Sequence, residues 1–425
     1  MDIFGRRAFR SVVRDGGNVP GKRDCLFIHI DNYRAMRRVY DNANLSEVKI
    51  TIANFLKKCH FKRIYYLDNG NFMLVYHINE NAVDTETIRG RFEVPWKLSF
   101  GYITISASFM FVPAGKKYID YTKLDKYAEF VFSDLYHDKG ALNLTLTEDI
   151  ARKANFDLEV EELLKQAVEH NNLEVFFQPI VSAQTEKVVS LEALARLHDE
   201  ELGYINPEYF INTAEKMGII DELGNQIMSN ACKIAQDNRF DLYGVRRLEV
   251  NISPIQCIRK DFIESIETEC KNFRNDRIKL NFEITESCSL NMEKLERDMK
   301  YLIAQGYTFS LDDYGTGYSN FINIKSLPFS IIKIDKALVW SHFEEGENST
   351  TLPNLVQLIK DMDKEVIAEG VESAEMVQGL ADMGVDYLQG FYCGEPMSGV
   401  DLLEYLKEHH GNVVADKLGL HEGKQ

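Results

Sequence analysis

A chain of 425 residues that is 45% hydrophobic and 27% charged has the composition of a globular protein of two or three domains, which excludes a wholly disordered chain, a collagenous rod or a coiled-coil rod. Its 49 basic residues stand against 66 acidic ones, and the net charge of −17 is unevenly placed: residues 1–150 carry 22 basic and 18 acidic side chains, residues 151–425 carry 27 and 48. A surplus of that size repels nucleic-acid polymers and anionic membranes, and on charge alone it also disfavours a phosphate-bearing ligand in the second part.

The first predicted element is a strand over Cys25–Asp31, a short apolar run ending on a polar residue. Residues 44–58 place Val48, Ile52, Phe55 and Leu56 on one helical face. The runs RIYYLD and FMLVYHI then flank Asn69-Gly70, a strong hairpin signal. A further strand is predicted over 97–111 and an amphipathic helix near 122–138. This succession predicts an α+β or ferredoxin-like sheet with helices on one face.

The layout resembles the GGDEF (diguanylate cyclase) domain, in a degenerate form. The hairpin reads Asp68-Asn69-Gly70-Asn71-Phe72 where the family has Gly-Gly-Asp-Glu-Phe. The family's metal-binding Asp falls on His29, its guanine contacts on Arg37 and Arg38, and its product-inhibition motif on Cys59 and Lys62. Two-metal phosphoryl chemistry needs carboxylates that are missing here. The resemblance therefore implies a regulatory or dimerising domain over residues 1–150 that is not a cyclase, with GTP or a partner protein as its candidate ligand.

Residues 157–171 read as a connecting helix, giving a linker over 151–170. Eight apolar runs follow: LEVFFQ, VVSLEAL, RLEVNIS, KLNFEIT, YTFSLDD, IIKID, EVIAEG and VDYLQG. Apart from one long gap after the second run, the later spacings each suit a strand-to-strand βα unit. The prediction is an α/β (β/α)8 TIM-like barrel over 171–410, followed by a polar tail over 411–425. Polar residues end the runs: Gln178, Glu192, Asn251, Glu283, Asp312, Lys333, Glu369 and Gln389. In this fold strand ends meet at one mouth. A lone Glu there is an ordinary solvated cap, Asp312-Asp313 alone an acidic turn, and Lys333 alone a partner of Asp335. Together with Asp313, the set puts five carboxylates at one mouth. These would repel and take up protons unless hard divalent cations, which favour oxygen ligands, neutralised them. No His or Cys falls at these ends, which argues against zinc.

The ordered series of Glu192-Ala193-Leu194, FQP at 177–179, VNIS at 250–253, EITE at 283–286, DDYGTGYS at 312–319, KID at 333–335, EGVE at 369–372 and QGF at 389–391 resembles EAL-domain cyclic-di-GMP phosphodiesterases across nearly all of 171–405. The resemblance implies two Mg2+ or Mn2+ ions. Glu192, Asn251, Glu283 and Asp312 match the ligands of one, Asp312 bridges to a second held by Asp313, and Glu372 matches a further carboxylate there. Glu369 matches the base and Lys333 its companion in positioning and deprotonating water. Gln178, Leu194, Arg196, Asp335, Gln389 and Pro396 match the substrate pocket, and Glu286 with Gly315, Thr316 and Gly317 the loop that couples the site to dimerisation. The departures are Tyr314, Ser330 and Glu395, none of them a matched metal ligand. The implied reaction is hydrolysis of cyclic-di-GMP to linear pGpG by a chain that pairs through this barrel. The alternatives are a catalytically silent cyclic-di-GMP receptor and a metal-dependent hydrolase of another phosphodiester. Seven scattered cysteines without CxxC, no apolar run near 18 residues and no signal-peptide core make the expectation a soluble cytoplasmic protein with no membrane partner.

Overall fold

The computed structural model of the protein describes residues 3–5, 23–59, 61, 63–67, 70–76, 85–135, 142–273, 277–285, 292–315, 326–345 and 350–408. The chain divides into two compact units, Met1–Glu159 and Val160–Gln425. The division falls inside one helix, Glu148–His170, which starts nine residues before the predicted linker helix.

The first unit holds strands β1 (Ile3–Gly5), β2 (Cys25–Ile30), β3 (Arg63–Tyr66), β4 (Asn71–Val75), β5 (Trp96–Leu98), β6 (Gly101–Ile103), β7 (Ala107–Val112) and β8 (Asn143–Thr145). Six of them form one sheet in the order β1-β3-β4-β2-β7-β8, while β5 and β6 make a separate hairpin. The hairpin of β3 and β4 is as predicted, with Tyr66 opposite Phe72; its turn residues Asp68 and Asn69 lie outside the described residues. The single strand predicted over 97–111 is instead broken, because the Ser99–Phe100 turn folds β6 back on β5 before β7 begins. The helix predicted near 122–138 is a short α-helix, Leu124–Glu129, continued by a π-helical stretch, Phe130–Leu135.

Helices also cover both faces of the sheet, not one. Leu26, Ile28, Phe72, Leu74 and Phe109 pack with Val48, Ile52 and Leu56 of helix Asn42–Lys57. The alternate residues Cys25, Phe27, Met73, Val75 and Met110 pack with Leu124, Tyr127 and Val131. The reason is in the strands: CLFIHI and NFMLV are apolar at nearly every position, so each pleat face needs a cover.

The second unit contains β9 (Glu174–Ser182), β10 (Val188–Asp199), β11 (Gly203–Ile205), β12 (Arg247–Ile252), β13 (Lys279–Thr285), β14 (Thr308–Tyr314), β15 (Ile331–Ile334), β16 (Glu365–Ala368), β17 (Tyr387–Gln389) and β18 (Met397–Ser398). All eight predicted barrel runs are strands, and pairing of β9 with both β10 and β17 closes the ring. The barrel is nevertheless not all-parallel: β9 runs antiparallel to both neighbours, whereas β10 and β12 to β17 are parallel. Only residues 183–187 join β9 to β10, which suffices for a hairpin but not for the dozen or more residues of a parallel crossover.

Helices alternate with the parallel strands. The long gap after β10 holds two, Pro207–Met217 and Ile220–Asp237. The first is bounded by an Asn206 cap, Pro207 at its first turn and Gly218 in the left-handed conformation after it. The second buries Ile220, Leu223, Ile227, Met228, Ala231, Cys232 and Ala235, a stripe of three- and four-residue steps that faces the barrel. Among the described residues no helix is long and apolar enough to cross a membrane. Cys25, Cys232, Cys257, Cys270 and Cys393 are buried. The predicted tail 411–425 and Cys288 lie outside the described residues.

Candidate active site

Side chains at alternate positions of a strand share a face, and the register of the barrel brings one such set to its mouth. Gln178 lies opposite Glu192, Asn251 beside Glu283, and Lys333 beside Ile367. At the centre is Lys333, 1% exposed, whose Nζ lies 2.9 Å from Glu283 Oε1, 2.9 Å from Glu369 Oε1, 3.1 Å from Asp312 Oδ1 and 3.4 Å from Glu192 Oε2. Lys333 thus serves four strand-end carboxylates, and Asp335 is accounted for differently: its Oδ1 accepts from Ala337 N at 2.8 Å and caps the next helix.

Glu192 is the best-supplied acceptor. Asn251 Nδ2 donates to its Oε1 at 2.8 Å and Gln389 Nε2 to its Oε2 at 2.5 Å. Gln389 Nε2 also reaches Gln178 Oε1 at 3.1 Å, and Gln178 Nε2 donates to the Gly394 carbonyl at 3.1 Å. A polar chain therefore runs from the Gly394 segment through two glutamines to Glu192.

Asp312 and Asp313 are consecutive, so a regular strand would point them to opposite faces. Here β14 and β15 slip register between Leu311 and Tyr314, and Asp313 takes φ 56°. Such a bulge re-aims side chains, and Asp tolerates the left-handed region better than most residues. As a result one carboxylate oxygen each from Asp312, Asp313 and Glu369 lies within 4.8 Å of the other two.

The electrostatics follow from this crowding. Desolvation opposes ionisation of Glu192, but Lys333 and the Gln389 and Asn251 hydrogen bonds outweigh it and hold its pKa below the ordinary value. Burial and the neighbouring Glu192 charge push Glu283 well above the carboxylate range. Burial raises Asp312 against the opposing pull of Lys333. Asp313, although it reaches solvent at the lip, is pushed up to about 6 by desolvation and the Asp312 charge. Glu369 is pushed up to about 8, again by burial against the pull of Lys333. Desolvation disfavours the Lys333 ammonium, yet Asp312, Glu192, Glu283 and Glu369 together raise its pKa well above normal. The mouth thus keeps one cation and stores protons on surplus carboxylates.

This donor set fits a hard divalent cation. Glu283 Oε2 is buried without a hydrogen-bond donor, and Glu283 Oε1 and Asp312 Oδ1 meet only the shared Lys333 ammonium. Such oxygens are costly to bury, and the set is all-oxygen, as hard cations require.

The remaining predicted residues distribute as follows. Arg196 is half-buried beside the mouth, its guanidinium 5.2 Å from the Phe176 ring centroid and donating to the Ala195 carbonyl at 2.9 Å. Leu194 and Pro396 are half-buried, and Gly315 sits at φ 109°. Glu372 is exposed and does not join the Asp312–Asp313–Glu369 group. Glu286, Thr316 and Gly317 lie outside the described residues.

A second polar layer, missed in the sequence, lies two residues before the first. Glu249, fully buried, accepts from Ser190 Oγ at 2.7 Å and Asn281 Nδ2 at 3.3 Å, and Asn281 also reaches Ser310 Oγ at 2.7 Å. The same alternation that marked Glu192, Asn251, Glu283 and Asp312 would have found Ser190, Glu249, Asn281 and Ser310. Opposite them the layer is apolar, with Ile180, Ile331 and Ile367 packed together and Tyr387 against them.

A family model described as EAL domain matches residues 161–396. Among curated proteins, the chain is 26% identical over 392 residues to the bifunctional diguanylate cyclase/cyclic di-GMP phosphodiesterase MucR of Pseudomonas aeruginosa, covering 89% of this chain and 56% of that protein. It is 29% identical over 358 residues to the probable cyclic di-GMP phosphodiesterase PdeG of Escherichia coli, covering 76% and 69%. Among solved structures, the PaMucR phosphodiesterase in complex with c-di-GMP superposes with TM-score 0.51 at 28% identity, covering 57% of this chain and 99% of that one. The chain thus spans little more than half the length of MucR.

Proposed function

The chain belongs to the EAL domain family, and on that premise we propose that it hydrolyses cyclic-di-GMP to linear pGpG with two Mg2+ or Mn2+ ions. The observation that carries the reading is the mouth itself: Asp312, Asp313 and Glu369 grouped within 4.8 Å, beside a buried Glu283 whose Oε2 lacks a donor. Glu192, Asn251, Glu283 and Asp312 would hold one ion, Asp312 and Asp313 the second, with Glu372 joining only if its exposed side chain swings inward. Bound there, the ions supply a water of lowered pKa and charge neutralisation for a phosphodiester.

The chain's own residues supply the rest. Glu369, relieved of its proton once the mouth is neutralised, accepts the proton of the attacking water. Lys333 fixes the carboxylates that face that water. Arg196 presents a planar fork suited to a phosphate oxygen. Gln178, Leu194, Gln389 and Pro396 line the pocket beside it, and Asp335 shapes that wall through the helix it caps. The acidity of residues 151–425 then forbids a dianionic ligand only while the mouth lacks its cations.

The first unit, in this reading, is regulatory and not a cyclase, with GTP or a partner protein as its ligand. At the position of the cyclase family's metal-binding Asp stands His29, whose Nδ1 lies 2.6 Å from Asn71 Oδ1 and whose ring stacks on Phe132. Pairing with a second copy through the barrel unit is part of the same proposal, read by sedimentation. The deciding experiment incubates the chain with Mg2+ or Mn2+ and cyclic-di-GMP and separates the products. Formation of pGpG supports hydrolysis; tight binding without pGpG would make the chain a silent receptor.

A further inference from the structure

We infer that Trp340 is a positioning residue for Glu369, acting through the Gly370 carbonyl; the inference rests on reading the mouth as a metal-dependent site. The segment 369–371 leaves β16 without regular structure, so each of its backbone groups needs a separate partner. Glu369 N donates to Ile334 O at 3.0 Å, Val371 N donates to Gln389 O at 3.0 Å, and Val371 O accepts from Tyr392 N at 3.0 Å. These partners are all backbone groups of neighbouring segments. The Gly370 carbonyl differs, because its donor is a side chain, Trp340 Nε1 at 2.7 Å.

The packing around that bond is close. Gly370 sits at φ 69°, and a Cβ built on it would lie 2.3 Å from Lys336 Cβ and 3.0 Å from Trp340 Nε1. The segment therefore lies directly on helix Lys336–Glu345, at a distance only glycine allows. Lys336 Nζ in turn stands 5.6 Å from the centroid of the Trp340 ring, which helps fix the indole. The same helix meets the other arm of the site: a Cβ on Gly315, two residues past Asp313, would lie 3.3 Å from Leu338 Cδ1. One helix thus touches the segments that carry Asp312, Asp313 and Glu369.

The consequence is specific. A glycine peptide can rotate cheaply between left- and right-handed regions, and rotation at Gly370 would swing the adjoining Glu369. The indole N–H bond to the Gly370 carbonyl removes that freedom. Glu369 shares one oxygen group with Asp312 and Asp313, so its displacement would be felt by an ion held beside them as well as by the water it deprotonates. Such constellations tolerate only about 0.5 Å of misplacement, and one hydrogen bond to a part-buried carbonyl corresponds to about five- to tenfold in an equilibrium.

The test uses the full chain as wild type, Trp340→Phe, which removes the donor, and Trp340→His, which restores a ring N–H. Mn2+ binding is followed by electron paramagnetic resonance of the free ion, and Trp emission is followed on Mg2+ addition. The chain has two tryptophans, and Trp96, 1% exposed in the first unit, is common to wild type and variants. The expected result is an emission change on Mg2+ addition that vanishes in Trp340→Phe. Mn2+ affinity falls about five- to tenfold in that variant and is recovered at least in part by Trp340→His. With cyclic-di-GMP, kcat falls by a similar factor while KM holds. Unchanged Mn2+ affinity in Trp340→Phe overturns the inference, as does a wild-type emission blind to Mg2+. Should Trp340→Phe fail to fold, the emission response and the Trp340→His affinity decide alone. A wild type that binds Mn2+ but forms no pGpG overturns the proposed reaction, and the affinities still judge Trp340. A wild type that binds neither metal overturns both.

Discussion

Replacing Lys333 with Met removes one buried cation from among four carboxylates and keeps the side-chain volume. The four contacts span 2.9 to 3.4 Å. At an effective dielectric constant of about 20, each ionised neighbour at that range attracts the ammonium by about 5 kcal/mol. Burial raises Glu283, Asp312 and Glu369 above their ordinary values, Glu369 to about 8, whereas Lys333 and its hydrogen bonds hold Glu192 below its own. Lys333 offsets negative charge on these neighbours, and its own desolvation, several kcal/mol, is recovered on removal. The net cost is about 3–5 kcal/mol, the usual result of breaking a buried pair. For a unit of this size that is roughly 6–20 °C in the unfolding midpoint. The measurement is thermal unfolding of wild type and Lys333→Met in EDTA and in millimolar Mg2+, at pH 5 and pH 8. Without Lys333 the carboxyls take up more protons in the folded state, so the loss should grow from pH 5 to pH 8. Mg2+ should stabilise the variant more than the wild type, because it replaces the missing charge. Equal midpoints in EDTA at pH 8, or equal Mg2+ shifts in both proteins, would refute the account of the mouth as a charge-compensated cation site.

The folded-state pKa values of Glu369, about 8, and Asp313, about 6, lie above the ordinary carboxylate value of about 4. The metal-free fold then holds protons that the unfolded chain has lost, so these groups make stability fall as pH rises from about 4 to about 8. Mn2+ affinity should rise over the same upper range as those protons are expelled, and calorimetry in buffers of different ionisation heat will count them; a flat profile would mean both groups are already ionised. Under the proposed reaction Glu192→Ala should abolish pGpG formation by removing a carboxylate proposed to hold an ion, and wild-type turnover in that variant would remove Glu192 from the site. Asn281→Leu should cost about 1–3 kcal/mol in urea unfolding, because it takes a donor from buried Glu249; no change would mean water replaces it. Gly70→Ala should destabilise the first unit by more than about 1 kcal/mol, since Gly70 sits at φ 84° and a Cβ there would meet Tyr33 Cβ at 2.9 Å; an unaltered midpoint would show that the turn can relax.

Much of this protein was written in one dimension. Runs ending in Glu192, Asn251, Glu283, Asp312, Lys333 and Glu369 named the barrel strands and the residues of its mouth, because strand direction and a period of two force side chains at strand ends together. The short link over 183–187 also held the antiparallel turn of β9, although the eightfold pattern masked it. The apolar runs of β2 and β4 likewise implied a sheet covered on both faces.

What the tertiary structure alone decided is how neighbouring groups share space. Asp312 and Asp313 face one mouth because β14 bulges against β15, and a bulge depends on the partner strand, not on local sequence. Lys333 serves four carboxylates instead of Asp335 because those four arrive from other strands. Trp340 reads as an ordinary helical aromatic until its N–H is found on the Gly370 carbonyl. Residue type and period are local quantities, whereas charge compensation and the satisfaction of a single carbonyl depend on distances that exist only after the chain closes on itself.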